Sequence, residues 1–309
     1  MRWRLVADVG GTNVRFARAL NEDTVVDRWS YPVSHFHGFL NALRSYAVEI
    51  GASLSSCSEV AIGAAGPIHA GTAKFTNSPW VIRETDVIEQ IGVPCTLVND
   101  VEAAAYCLPG LALHEFALFG AAEPELESAH RLLAANIGTG FGAATLIKTP
   151  TGSWFSAPGE AGHMSLPFAG DEDARLRPGF PSVEHVLSGR GVVNLHAALK
   201  GQNATLSAPE IFSLAPSDPD CAATVRVFTR IAGDVLGNLT LGVAAWDGVF
   251  LFGSVAKGFA AVADHSAFRE AFENKGPMAE IMKRVPVALV DKEDAALFGL
   301  AALPIQARL

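Results

Sequence analysis

The chain reads as an α/β protein of two domains, and three observations predict it. At 309 residues it is long for a single hydrophobic core. Short apolar runs rich in Val, Ile, Leu and Ala alternate with stretches of helical spacing. One pattern, an apolar strand followed by a Gly/Thr turn and a returning strand, occurs twice, at residues 4–20 and 132–148.

The elements follow in order. Residues 4–9 read as a buried strand, Gly10-Gly11-Thr12-Asn13 as a tight turn, and residues 14–20 as the returning strand. A third strand is expected over 24–32 and a helix over 39–50, where Phe39, Leu43, Tyr46 and Ile50 share a side. Residues 60–68 form a strand running into a glycine-rich loop, and residues 94–98 a strand that delivers Asn99-Asp100 to an Ala-rich helix. A second region begins near Gly110. It holds the strand 132–137, the turn Gly138-Thr139-Gly140-Phe141-Gly142, the strand 143–148, a helix over 225–241, a strand over 246–252 and a last helix over 293–303. Residues 207–221 read as the most loop-like segment.

Composition narrows the function. Half the residues are hydrophobic, enough to fill cores and too many for a disordered chain. A net charge of −9 offers no basic stripe for a nucleic acid, yet leaves room for a nucleotide, whose phosphates backbone N–H groups and a metal ion can hold. Cys57, Cys95, Cys107 and Cys221 are scattered, which predicts free buried thiols rather than zinc or a disulfide framework. The basic start meets Asp8 before any signal-peptide core forms, and no apolar run reaches the length of a membrane span. The expectation is a soluble cytoplasmic protein that engages neither nucleic acid nor membrane.

Four motifs carry chemistry. In Asp8-Val9-Gly10-Gly11-Thr12-Asn13 the glycines allow close backbone approach to an anion, Thr12 adds a hydroxyl, and Asp8 at the strand end suits a hydrated Mg²⁺. A plain Gly-Gly hairpin explains the same residues. The turn 138–142 has G-x-G-x-G spacing and is followed by a strand, so it is no dinucleotide fingerprint; no P-loop is present. Asn99-Asp100 ends a strand where open α/β folds place ligands, and Asp100 there can take a proton from a hydroxyl. On this spacing alone, a capping box of Asn99 with Glu102 explains the pair better. Glu160 and His163, in a Gly/Pro-rich loop, suit adjacent hydroxyls of a polyhydroxylated ligand or simply face water. Glu184 lies at a helix start, where a favourable dipole interaction is the plain explanation, and His35 and His37 receive no role.

Taken together, these residues resemble the bacterial hexokinase-type glucokinases of the sugar kinase/heat-shock chaperone/actin superfamily. The resemblance runs nearly end to end. It rests on residues 7–13, Gly63-Ala64-Ala65-Gly66-Pro67-Ile68, Phe75-Thr76-Asn77-Ser78-Pro79-Trp80, Leu97-Val98-Asn99-Asp100, 137–142, Gly159-Glu160-Ala161-Gly162-His163 and 184–191. The related repressor/kinase family is less similar, since its cysteine-rich zinc motif does not occur among these residues.

The resemblance implies a two-domain actin-like ATPase (ribonuclease H-like) fold with an interdomain cleft. The small domain would be 1–109, completed by 293–309, and the large one 110–292. It implies ATP-dependent phosphorylation of glucose at O6, with Asp100 as catalytic base and Asn77, Asn99, Glu160, His163 and Glu184 binding sugar. Gly10, Gly11, Thr12, Asn13, Gly138 and Thr139 would face the ATP phosphates. Gly253 and Ser254 would lie on the adenosine side, where the family commonly has Gly-Gly. Mg²⁺ and a homodimer are implied too. A carboxylate with a reference pKa of about 4 is a weak base for an alcohol, and serves if the proton leaves late. A kinase for another hexose and a non-catalytic sugar sensor are the alternatives.

Overall fold

In the computed structural model, residues 2–51, 54–75, 78–167, 176–201 and 205–304 are described. Cα packing divides the chain into two units. The first takes residues 1–111, 146–158 and 292–309, and the second 112–145 and 159–291. The sequence had placed 146–158 in the second domain. Here that segment groups with the first unit, and Ser156 on it is hydrogen-bonded to Glu102 and Tyr106.

The first unit is built on a five-stranded sheet of order β3-β2-β1-β4-β8. Its strands are β1 (Trp3–Val9), β2 (Asn13–Ala19), β3 (Val25–Pro32), β4 (Cys57–Ala64) and β8 (Cys95–Asn99). β1, β2 and β3 are antiparallel neighbours, while β1, β4 and β8 run parallel. A parallel strand is covered on both faces, which is why β4 ends in five consecutive buried residues, Val60 to Ala64. Helix α1 (Phe39–Glu49) buries Phe39, Leu43 and Tyr46, and the Tyr46 ring stacks on Phe16 of β2 at 5.2 Å. A small antiparallel sheet of β5 (Ile68–His69), β6 (Thr72–Lys74) and β7 (Val81–Arg83) leads into α2 (Glu84–Ile91).

Helix α3 (Asp100–Ala105) is seated by small residues. A Cβ on Gly63 would lie 2.8 Å from that of Ala103, and one on Gly299 would collide with the Ala103 carbonyl oxygen. Gly299 belongs to the C-terminal helix Ala295–Ala302, which packs on α3.

The second sheet has the order β12-β11-β10-β13-β14-β9, with β9 (Phe116–Leu118), β10 (Arg131–Ile137), β11 (Phe141–Lys148), β12 (Trp154–Gly159), β13 (Val249–Phe252) and β14 (Val287–Val290). The core of the second unit gathers around the 25-residue helix Pro219–Val243, with Phe228, Phe259, Phe268 and Phe272 fully buried. Residues 207–221 are not the expected loop. Ser207 and Glu210 form a capping box, Ile211 and Phe212 bury one face of the helix Ala208–Leu214, and Asp218 caps the long helix.

Both strand–turn–strand units form as expected, β1–β2 and β10–β11. All four cysteines are free and buried. Among the described residues no helix is long and apolar enough to cross a membrane. The strand-and-helix architecture is the α/β class read from the sequence and agrees with the actin-like ATPase fold that the resemblance implies.

Candidate active site

In the first unit the carboxyl ends of three parallel strands lie side by side, since Asp8 pairs with Gly63 and Ala64 with Asn99. This is where an open α/β sheet binds ligands. Asn99 caps α3: its Oδ1 accepts the Val101 N–H at 2.8 Å, and the Glu102 carboxylate accepts the Asn99 N–H at 3.1 Å. The Asn99 amide also donates to the Gly66 carbonyl at 3.2 Å. Capping therefore falls to Asn99 and Glu102, not to Asp100. Asn99 and Glu102 hold the helix start, and Asp100, the first helical residue, stands outside that box, its carboxylate accepting the Val101 N–H at 2.9 Å.

Burial, and then the charge of Asp8, push the Asp100 carboxyl up to about 6; the Val101 and Asp100 N–H groups and the Asn99 side chain pull the other way. Asp8 is itself raised, first by burial. It faces Arg15 across the β1–β2 ladder, with Nη1 at 3.2 Å from Oδ2. The Arg15 charge lowers the Asp8 pKa, and Asp294 raises it. Arg15 and Asp294 are two groups that sequence reasoning did not place at the site. Arg15 lies two residues past the quoted motif, directly opposite Asp8 in the two-residue register of that hairpin. Asp294 precedes an apolar helix, the usual mark of an N-terminus, and adopts a left-handed φ of 53°. It also pairs with Arg28 at 3.2 Å.

The first Gly/Thr turn is closed by Gly10 N–H donating to the Asn13 carbonyl at 2.9 Å. That donor is thus spent within the turn, while Gly11, Thr12 and Asn13 are exposed. Asn77, expected to touch sugar, lies outside the described residues.

The second unit holds the other group. Its turn is set by Gly138 N–H donating to the Gly140 carbonyl at 3.0 Å and by Gly189 N–H donating to the Gly138 carbonyl at 2.9 Å. Thr139 is exposed between them. Glu184, in the short 3-10 turn Val183–His185, accepts the Phe141 N–H at 3.0 Å. A Cβ on Gly140 would sit 2.5 Å from the same carboxylate, so only glycine there lets Glu184 approach. Glu160 precedes a second 3-10 turn, Ala161–His163, and both Glu160 and His163 are exposed. The two turns are tied by the Ser165–Ser182 bridge and by Val183 N–H donating to the Met164 carbonyl at 2.9 Å. One cluster thus gathers Glu160, His163, Glu184 and the turn 138–141.

Gly253 and Ser254 follow β13, whose Phe252 pairs with Asn136 at the end of β10. At Gly253 φ is +100°, and a Cβ would fall 2.5 Å from Asn136 Oδ1. Ser254, where the family commonly has glycine, begins a helix with ordinary geometry. A cavity of about 610 Å³ in the first unit, walled by Tyr106, Trp154 and Phe298, contains none of these residues.

For Mg²⁺, the described residues contain no group of three or more His, Cys, Asp or Glu able to hold a metal. A single carboxylate, Asp8, suits an ion carried mainly by phosphates and water.

Comparison with known proteins gives a consistent picture. The sequence profile of the glucokinase family matches residues 5–307. A glucokinase of Nitrobacter hamburgensis is 32% identical over 322 residues, covering 98% of this chain and 97% of that protein. The crystal structure of a glucokinase from an Antarctic psychrotroph superposes with a TM-score of 0.85 at 30% identity, covering 98% of each chain. A ROK family glucokinase from Streptomyces griseus, crystallised with glucose and AMPPNP, shares the fold with a TM-score of 0.64 at 18% identity, over 97% of this chain and 98% of that one. With a matching profile over nearly its full length and a relative at 32% identity, this chain belongs to the glucokinase family.

Proposed function

We propose that this chain transfers the γ-phosphoryl group of ATP to O6 of glucose, giving glucose 6-phosphate and ADP. The observation that carries the reading is Asp100, a carboxylate left out of the capping box and raised to about 6. Such a group is ionised at neutral pH yet more basic than an ordinary aspartate, as a general base requires.

Phosphoryl transfer asks mainly for positioning and charge stabilisation. Asp100 accepts the proton of the 6-hydroxyl as its oxygen bonds to phosphorus. Asn99, Asn77, Glu160, His163 and Glu184 hold the remaining hydroxyls. Thr12 and Thr139, with the exposed backbone of their turns, receive the phosphates, and Gly253-Ser254 receives the adenosine side. Mg²⁺, held by the phosphates with Asp8 orienting its water shell, would supply charge neutralisation. Membership of the family and the complex of the Streptomyces griseus relative with glucose and AMPPNP support glucose and ATP as the pair. The compartment we propose is the cytoplasm, and the assembly a homodimer.

A coupled assay of the purified protein against glucose, mannose and glucosamine, each with ATP or polyphosphate, tests this. Fastest turnover with glucose and ATP is expected. Preference for another hexose or another donor moves the assignment within the sugar kinases, and no turnover with any pair defeats it.

A further inference from the structure

The capping box at the start of α3 does not end at Glu102. While Glu102 Oε2 accepts the Asn99 N–H at 3.1 Å, its other oxygen, Oε1, accepts the hydroxyl of Ser156 at 2.6 Å. The Ser156 N–H in turn donates to the Tyr106 hydroxyl at 3.0 Å, and Tyr106 is the C-cap of the same helix. One residue of β12 therefore grips both ends of a six-residue helix. Ser156, Tyr106 and Glu102 are 6%, 7% and 8% exposed.

A helix this short has little stability of its own, so its orientation is set by whatever holds it. A buried carboxylate also needs its lone pairs filled. Ser156 fills one side of Glu102 and fixes the plane in which the other oxygen meets Asn99. Ser156 is also the single buried residue of β12; packing alone would favour an apolar side chain there. Four residues further on is Glu160.

We propose that Ser156 is a positioning residue, acting through Glu102 to hold the Asn99-Asp100 turn in its reactive geometry. The proposal rests on the reading of Asp100 as the base. Without the hydroxyl, Oε1 is left buried and unfilled, Glu102 turns away from Asn99, and the Val101 N–H no longer lies fixed against the Asp100 carboxylate.

Ser156→Ala tests it through kcat, both KM values, the pH profile and a thermal melt. A loosened turn is expected to lower kcat about tenfold to a hundredfold, the scale of a small misplacement of a reacting group, with KM for ATP unchanged. The acid limb of kcat/KM moves to higher pH, because the Val101 N–H that holds the Asp100 pKa down is partly lost. Ser156→Thr restores the hydroxyl and most of kcat. Glu102→Gln keeps more activity than Glu102→Ala, since the serine hydroxyl can accept from an amide.

Wild-type kcat and an unmoved acid limb in Ser156→Ala overturn the proposal. So does a loss that Ser156→Thr does not relieve although both variants melt like wild type. If Ser156→Ala does not fold, Ser156→Cys takes its place, with an intermediate kcat expected and a wild-type kcat overturning. Asp100→Asn, run in parallel, separates the two readings. An active Asp100→Asn defeats the base assignment, whereas an inactive Asp100→Asn beside a fully active Ser156→Ala defeats only the positioning role.

Discussion

Asp100→Asn removes a carboxylate that burial and Asp8 hold at a pKa of about 6, against an ordinary value of 3.8. A gap of about two pKa units corresponds to about 3 kcal/mol. The folded-state value lies above the unfolded one, so the group's stabilising contribution is full below about pH 4 and disappears as pH rises through about 6. Above that, the folded protein carries an ionised carboxylate at a cost of up to about 3 kcal/mol relative to the unfolded chain. An amide carries no such cost, and its oxygen can still accept the Val101 N–H. The variant is therefore expected to be more stable than wild type at pH 8, with the advantage fading to nothing near pH 4. Its turnover should fall about 10²-fold or more, the scale of a lost general base. Urea melts between pH 4 and 8, with coupled phosphorylation assays on the same samples, measure both. A stability difference that is flat with pH, or that favours wild type at pH 8, refutes the electrostatic account; near-wild-type turnover refutes the assignment of the base.

Glu160→Gln should raise the dissociation constant for glucose about tenfold or more while leaving that for ATP alone, from the roughly 1.5–3 kcal/mol of a hydrogen bond to a charged group; calorimetric titration measures it. Glu184→Ala should weaken both ligands together, because Glu184 also anchors the Phe141 N–H beside the second Gly/Thr turn, and separate titrations with glucose and with an ATP analogue would show it. Gly299→Ala forces a methyl against the Ala103 carbonyl and should cost about 1–3 kcal/mol, read from the urea midpoint of the first unit. An unchanged midpoint would mean that α3 and the C-terminal helix separate easily.

Local signals carried far. The apolar run into Asn99 gave both strand and cap correctly, because strand end, cap and helix start are decided within a few residues. The Gly/Thr turns were legible for the same reason. Residues 207–221 misled because Ser, Pro and Asp suggest a loop by composition, although Ser207 with Glu210 and Pro209 is a helix-start pattern. What pairs at long range stayed hidden. Nothing near Ser156 in the chain announces Glu102, 54 residues away, and nothing near Asp100 announces that Asp8 will raise its pKa. The Glu184 contact with Phe141 is similar: two recognisable motifs, joined only by folding.

The packing of Ala103 against Gly299 has a consequence for synthesis. Helix α3 is made when about a third of the chain exists, but its second neighbour lies at residues 295–302. Arg4 likewise waits to donate its guanidinium to the carbonyls of Leu300, Ala301 and Leu303. At typical elongation rates the interval is on the order of ten seconds or more. Throughout it the nascent first sheet presents an uncovered apolar face, while the second unit, residues 112–145 and 159–291, is complete before the C-terminal helix is made. Asn99 and Asp100, at the start of α3, would then sit in the last part of the molecule to assemble, a sequence of events that pulse-labelled proteolysis of ribosome-bound chains would resolve.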